Sequence, residues 1–511
     1  MVLVVERPRA AAGPRQLAAS RRRIRMPRAG APLLVGLAAT LYVGIGNGVP
    51  SVWYDEAATI TSATRSWAQL ADELRNVDAV HGRFYALMHV WFDLVGYSPV
   101  TLRLPSALAV GATSAVLVLV LRSAVGARMG VLAGVLYPLI PRVAWAGGEG
   151  RSYALGALVT VALSAVLWLA LRSHRLRWWA LYALVAAFGV ALFLYLALVP
   201  LAHAVTLALL ARRGRVRLRD GIGWTLAVAA AAAATLPLVL LAREQKSQLK
   251  WVPQLDWGTL RRVLGTQWFW GSVPLAVLFW GLIVAGVIVL VRRRSELAAW
   301  IVPVLVVPTA VLLAATAVYS PLYSPRYLTF TAPAVAVAAA AARAAMPRPG
   351  IRRVALGVVF VLALPNMIVE ERVPGAKQGA SWSQVAAFIA ERRAADPVRT
   401  AILYGPVRYH PTASTRVIAY AYPDAFAGTI DPTLRVPAAQ TGQLWEERGR
   451  LVDSVAALSG ADTAYLVTSV KRDRRPSYTA VLGLIGWQPV GEWHFTDVTV
   501  VQYAPTDTGS R

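Results

Sequence analysis

The sequence predicts a mainly α protein: a polytopic membrane helical bundle of about eleven spans carrying a C-terminal extracytoplasmic α/β domain. Three observations predict it. Of 511 residues, 57% are hydrophobic, and the mean hydropathy is +0.52. Apolar segments near the ~20 residues needed to cross a bilayer recur down to residue 368. From residue 369 onward, short β-like runs alternate with amphipathic ones instead.

The eleven segments are 31–50, 101–121, 129–146, 152–171, 178–193, 195–211, 222–241, 272–291, 297–318, 327–343 and 351–368. Residues 1–30 form a polar, basic tail before the first of them. No small-residue cleavage site follows, so the first span reads as a retained anchor. The net charge is +26, but the basic residues sit in short clusters between apolar runs. That pattern is a topology signal and not a nucleic-acid surface. Arginine clusters at 21–28, 122–128, 172–177, 212–219, 292–294 and 343–353 all fall on one side of an eleven-span chain. By the positive-inside rule that side is the cytoplasm, so the N-terminus is cytoplasmic. The other side receives 50–100, 146–151, 242–271, 319–326 and the tail 369–511. The chain has no cysteine, which excludes disulfides and thiolate chemistry. The arginine-, alanine- and valine-rich composition is that of a GC-rich genome, actinobacterial ones among them.

Within the first external loop, Phe84, Leu87, Met88, Trp91, Phe92 and Val95 recur at helical spacing, which predicts an interfacial helix over 82–96. The second, 242–271, carries Lys246, Lys250, Trp251, Trp257, Trp268 and Trp270, an interfacial composition. In the tail, residues around 385–389 predict an amphipathic helix capped by Ser381 or Ser383. Strands are predicted at 401–404, 417–420, 464–467 and 498–501, with helices at 444–459 and 476–486.

The chemistry concentrates on the external side. Asp55 and Glu56 follow the first span directly, and adjacent carboxylates beside hydrocarbon need water, a partner or a task. His81, Arg83, Arg103, Glu149, Arg151, Lys246, Lys250 and Arg326 join them on that side. Transfer from a phosphate-activated sugar needs this combination: a base for an acceptor hydroxyl, and fixed cations for the departing phosphate. Phosphate is already a good leaving group, so no general acid is required. No cofactor is required either, although Mg²⁺ or Mn²⁺ would accept these oxygen and imidazole ligand types. No Gly-rich nucleotide loop is present, which argues against a nucleotide-sugar donor.

Five motifs in order then resemble a known class: Trp53-Tyr-Asp-Glu-Ala, the run from His81 to Gly96, Leu102-Arg-Leu-Pro-Ser, Glu149-Gly-Arg-Ser-Tyr and Ser324-Pro-Arg-Tyr-Leu. They resemble the membrane glycosyltransferases of the GT-C class, in the branch of protein O-mannosyltransferases and the lipid A aminoarabinose transferase. The resemblance spans roughly residues 30–345. It implies a polyprenyl-phosphate sugar donor that enters from the bilayer, and a long first external loop. It implies that Asp55 is the base and that external cations hold the donor phosphate. Mannose is the first expectation for the sugar and arabinofuranose the second. The acceptor expected is a cell-envelope glycan, lipid or protein. One departure is that Gly82-Arg83 stands where many relatives carry a proline pair.

Each residue also has a plainer reading. Asp55 would then be a solvated loop acid, and Glu56 a partner for a backbone amide. Arg326, beside Tyr327, would be a snorkelling arginine, although its external position and its fork geometry favour phosphate. Glu149 with Arg151 would be a local ion pair, and Arg103 a helix cap or a partner for Asp55 or Glu56. His81 would be an ordinary loop histidine, and Lys246 and Lys250 one face of an interfacial helix. Two other function classes also fit many spans. A secondary transporter or lipid flippase predicts charge near the bilayer midplane, whereas these charges cluster at span ends. A non-catalytic envelope scaffold would tolerate loss of Asp55.

Overall fold

The computed structural model describes residues 30–246, 251–407 and 412–506. The basic tail expected at 1–30 lies almost wholly outside them.

The bundle begins with α1 (Gly30–Gly44). The first loop holds three helices, α2 (Tyr54–Ala63), α3 (Trp67–Asn76) and α4 (Gly82–Val95). Only α4 was expected. Then come α5 (Pro99–Ala124), the pair α6 (Ala127–Leu136) and α7 (Pro141–Gly147), α8 (Tyr153–Ser173), α9 (Leu176–Leu192), α10 (Leu198–Ala211) and α11 (Leu218–Glu244). Short turns α12 (Gly258–Arg261) and α13 (Gln267–Phe269) lead to α14 (Val273–Arg292) and α15 (Glu296–Val318). A 3-10 turn, Pro325–Thr331, opens α16 (Ala332–Ala345), and α17 (Pro349–Glu371) ends the bundle.

Among the described residues, eight helices are long and apolar enough to span, and α6 with α7, bent by 69°, makes a ninth candidate. Gly30–Gly44 and Leu176–Leu192 are shorter apolar helices. Each of the eleven expected segments falls on one of these elements. The protein is a multi-pass membrane protein.

Small residues set the closest helix crossings, as expected where lipid supplies no hydrophobic drive. A Cβ on Gly111 of α5 would lie 1.9 Å from Thr40 Oγ1 of α1, and one on Gly286 of α14 would lie 1.9 Å from Ala338 O of α16.

The tail opens with α18 (Trp382–Ala395). Its sheet has the order β1-β4-β6-β5, built from Thr400–Tyr404, Thr463–Ser469, Val498–Pro505 and Trp487–His494. β1 runs parallel to β4, with Ala401 opposite Ala464; β4–β6 and β6–β5 are antiparallel. The two-residue period splits the faces of β1, β4 and β6. Ile402, Tyr465, Val467 and Val500 join the core that includes Val385 and Ile389 of α18. Ala401, Leu403, Ala464, Leu466 and Val501 form a second core with Leu482 of α21 (Arg475–Gly483). The segment between β1 and β4 holds α19 (Val417–Ala421), α20 (Pro423–Phe426) and a small antiparallel pair, β2 (Leu434–Val436) with β3 (Glu447–Arg448).

Several tail expectations need correction. The strand expected at 417–420 is α19. Val417, Ile418 and Ala421 are buried, a helical spacing, and they pack toward α2. The helix expected over 444–459 is instead β3 followed by 3-10 turns at Leu451–Asp453 and Val455–Gly460. Ser381 stands at the start of α18 but does not cap it, because its hydroxyl donates to Asp497 Oδ1 (2.5 Å).

The domain is stitched onto the first loop. Ser51 N donates to Pro374 O (2.9 Å), Val52 N to Tyr422 OH (2.9 Å), and Trp445 Nε1 to Tyr54 OH (2.9 Å). Arg65 Nη2 donates to Gln443 O (2.6 Å), and Tyr97 OH to Ala421 O (2.6 Å). The arginine-bearing connections lie at the opposite end of the bundle.

Candidate active site

Asp55 and Glu56 lie in the first turn of α2, where unpaired backbone N–H groups and the helix dipole favour negative charge. Successive residues of a helix point about 100° apart, and that separates the two carboxylates.

Glu56 turns inward and is fully buried. Arg103 Nε and Nη2 grip its two oxygens at 2.7 and 2.6 Å, and Gly150 N donates to Oε1 at 2.9 Å. Arg103 spends its remaining donors on Asn47 O (2.6 Å), Pro50 O (2.9 Å) and Ser51 O (3.0 Å). This cluster ties the end of the first span, α2, α5 and the α7–α8 connection together. All five Arg103 donors are used, and both Glu56 oxygens are engaged and fully buried, away from any substrate.

Asp55 turns the other way. Its Oδ2 lies 2.8 Å from Arg326 Nη1, and each side chain keeps 17% of its surface exposed. The Arg326 guanidinium rests over Trp251 at 4.6 Å and over Trp53 and Tyr327 at 5.7 Å. Among the described residues, its Nε is buried without a hydrogen-bond partner. Tyr327 is buried against Tyr195, with ring centroids 4.6 Å apart. Trp251 was expected to be an interfacial tryptophan; it is part of this cage.

Arg151 packs beneath. Its Nη1 donates to Asp55 O (3.2 Å) and Tyr85 OH (3.2 Å), and its Nη2 meets His81 Nε2 at 2.7 Å. A guanidinium only donates, so His81 Nε2 accepts and the ring proton sits on Nδ1. That Nδ1 is buried and has no hydrogen-bond partner among the described residues. Burial, with Arg151 and Arg326 nearby, holds the His81 pKa well below its usual value, which keeps the ring neutral. Among the described residues, His81 Nδ1 and Arg326 Nε are thus two buried N–H donors without a partner.

Asp78 was not singled out in the sequence. Its Oδ2 accepts from Tyr85 OH (2.8 Å), and its backbone sits at φ 57°, the left-handed region that a non-glycine residue adopts at a cost. Burial pushes its carboxyl upward, opposed by Arg151.

Glu149 is fully buried. Trp53 Nε1 donates to its Oε2 (3.0 Å), and Lys377 pairs with its Oε1. Burial pushes the Glu149 carboxyl up to about 7, and the Lys377 charge works against that push. Lys377 also lies 3.5 Å from Glu371 Oε2. It too escaped the sequence reading, because it arrives from the segment after the last span.

Asp55, His81, Arg151, Arg326 and Tyr327 therefore converge. Glu149 supports them through Trp53, and Glu56 with Arg103 stands behind them as a buried lock. Lys246 is exposed at the end of α11, and Lys250 lies outside the described residues. Among the described residues, no three acidic or histidine side chains group as a metal site.

Comparison with known proteins bears on the fold. Residues 84–240 match the family described as dolichyl-phosphate-mannose-protein mannosyltransferase. The crystal structure of ArnT from Cupriavidus metallidurans bound to undecaprenyl phosphate is 16% identical, covers 93% of this chain and 98% of its own, and superposes with a TM-score of 0.57. The apo form of that protein is 15% identical over 92% and 97%, with a TM-score of 0.56. The chain has the GT-C fold. An Archaeoglobus fulgidus oligosaccharyltransferase structure is 12% identical over 88% of this chain and 69% of its own, at a TM-score of 0.49. No curated protein sequence matches the chain. In this GT-C chain, the long first loop and the C-terminal domain lie together at one end of the bundle, and the cluster around Asp55 lies between the loop and the bundle.

Proposed function

We propose that this protein is an integral membrane glycosyltransferase that moves a sugar from a polyprenyl-phosphate carrier to a cell-envelope glycan, lipid or protein. Mannose is the first sugar to test and arabinofuranose the second. Asp55 takes the proton of the acceptor hydroxyl as that oxygen attacks the anomeric carbon. The bond from that carbon to the phosphate oxygen breaks, polyprenyl phosphate departs, and the configuration inverts. Arg326 and His81 hold the phosphate, and Arg151 fixes His81 in the tautomer that donates through Nδ1. Glu56 and Arg103 act as positioning residues and do not touch substrate. Lys246, exposed beyond the end of α11, is assigned no contact with the phosphate.

The observation that carries this reading is the Asp55–Arg326 pair, flanked by two buried N–H donors without partners. An anion that meets those donors would satisfy both and draw Arg326 away from Asp55, freeing the carboxylate to act. The ArnT structure of the same fold was solved with undecaprenyl phosphate, which supports a carrier of that chemistry. The arginine-bearing connections support a plasma-membrane topology with a cytoplasmic N-terminus and the site on the outer side. There the C-terminal domain, joined to the first residue of α2 through Trp445 and Tyr54, would help present the acceptor. No cofactor is needed for this step.

The test is sugar transfer in membranes supplied with radiolabelled polyprenyl-phosphate mannose, with Asp55→Asn compared at equal expression. Loss of a general base typically costs about 10²–10⁴-fold. Transfer by wild type and its loss in the variant support the reading, and a silent wild type directs the assay to the arabinose donor. Equal transfer by both proteins excludes Asp55 as the base.

A further inference from the structure

A cavity lies at the opposite end of the bundle from the cluster around Asp55, among α5, α8, α10, α15 and α16. Its volume is about 510 Å³, within the ~300–1,000 Å³ typical of small-molecule sites. It runs along α8 from Arg172 to Thr160. At 1.5 Å per residue that is about 18 Å, close to the depth of one leaflet of a ~30 Å hydrocarbon core.

The lining is graded. Deep in the cavity are Val161, Ile301, Val304 and Val337. The hydroxyls on this wall are already used: Thr160 Oγ1 donates to Gly156 O (2.9 Å) and Ser164 Oγ to Thr160 O (2.9 Å). Such a wall offers water little and suits a hydrocarbon chain. The rim is charged, with Arg172, Arg215 and Glu296. Arg215 pairs with Glu296 at 2.8 Å, while the Arg172 guanidinium rests on the Trp168 ring at 4.6 Å. The rim therefore carries one net positive charge, inside a connection richer still in arginine.

We infer that this cavity is a binding site for one anionic glycerophospholipid of the leaflet at the arginine-bearing end, with an acyl chain between the helices and its phosphate at Arg172 and Arg215. Cationic groups at headgroup level attract anionic lipids, and pockets between helices at this depth take their head groups. The site is separate from the cluster around Asp55 and does not depend on the function proposed for it.

The experiment uses the full chain, stripped of lipid in neutral detergent and mixed with equal amounts of phosphatidylglycerol and phosphatidylcholine. Native mass spectrometry then reads the lipid retained. One phosphatidylglycerol retained about tenfold over phosphatidylcholine is expected. Arg172→Gln with Arg215→Gln should erase the preference, and Ala165→Phe, which fills the cavity, should remove the bound lipid. Equal retention of the two lipids by wild type overturns the proposal without recourse to any variant. So does undiminished retention by the variants, or displacement of phosphatidylglycerol by an equal concentration of polyprenyl phosphate.

Discussion

Arg326 Nη1 meets Asp55 Oδ2 at 2.8 Å across 271 residues of sequence, and the same guanidinium lies over Trp251, 4.6 Å from the ring centroid. A lysine there would keep the charge but lose the planar fork and the stacking. Arg326→Lys is expected to lower kcat/KM by about 10- to 100-fold, the worth of one or two charged hydrogen bonds. Most of the loss should appear in KM for the donor, measured by titrating polyprenyl-phosphate sugar. An unchanged KM would show that Arg326 does not hold the phosphate.

Lys377 balances Glu149, which in turn holds the Trp53 indole. In Lys377→Met, burial and the Glu56 charge act on Glu149 without the opposing lysine, and its carboxyl rises further above the value near 7. The variant is expected to lose activity relative to wild type more steeply at pH 8 than at pH 6, because at pH 6 Glu149 takes up a proton in place of the lost partner. Adding Glu149→Gln should remove that pH dependence. A pH–rate profile for the three proteins checks it.

Glu56 and Arg103 form a fully buried ion pair, 2.6 Å between Oε2 and Nη2. Glu56→Gln or Arg103→Met should cost about 3–5 kcal/mol, because each strands a buried charge or its donors. Replacing both by apolar residues should recover much of that. Thermal unfolding in detergent reads both effects, and equal melting of the single and double variants would contradict the account.

His81 is held neutral, with a pKa well below its usual value. A histidine depressed in the folded state contributes stability above its unfolded pKa of about 6.5. That contribution is lost as pH falls below it, by up to about 1.4 kcal/mol per pH unit. Glu149 runs the other way, its contribution fading as pH rises through about 7. The difference between wild type and His81→Asn isolates the histidine: the variant should lose less stability between pH 6.5 and pH 5. Melting curves at the two pH values decide it.

Gly286 lets α14 touch the α16 backbone at Ala338. Gly286→Val forces the helices apart and is expected to destabilise the bundle by about 1–3 kcal/mol. Gly281 of the same helix has open space around it, so Gly281→Ala should leave the melting temperature nearly unchanged.

The spans were legible because each is a long apolar run bounded by arginine, and lipid demands that pattern of every crossing helix. The residues that converge in the candidate site were legible where a charge stood beside such a run, as Asp55, Arg151 and Arg326 do. What escaped has a physical cause in each case. The division of labour between Asp55 and Glu56 depends on where α2 starts, since a shift of one residue turns either side chain by about 100°. Asp78 gives no sign in the sequence of its left-handed backbone. Trp251 and Lys377 reach the site from distant segments. β5 was missed because it is an edge strand, exposed along most of its length and interrupted by Pro489 and Gly491.

Lys377 enters the bundle from beyond the final span, and this sets an order of events during synthesis. Asp55 leaves the ribosome long before the lysine that neutralises the Glu149 carboxylate behind its helix. At ~5–20 residues per second, the interval is on the order of tens of seconds. Through that time Trp53 lacks its fixed support, although most of the spans are already made. Catalytic competence would therefore arrive only once the chain has emerged past residue 377, and a nascent chain would pass through the membrane as a silent precursor.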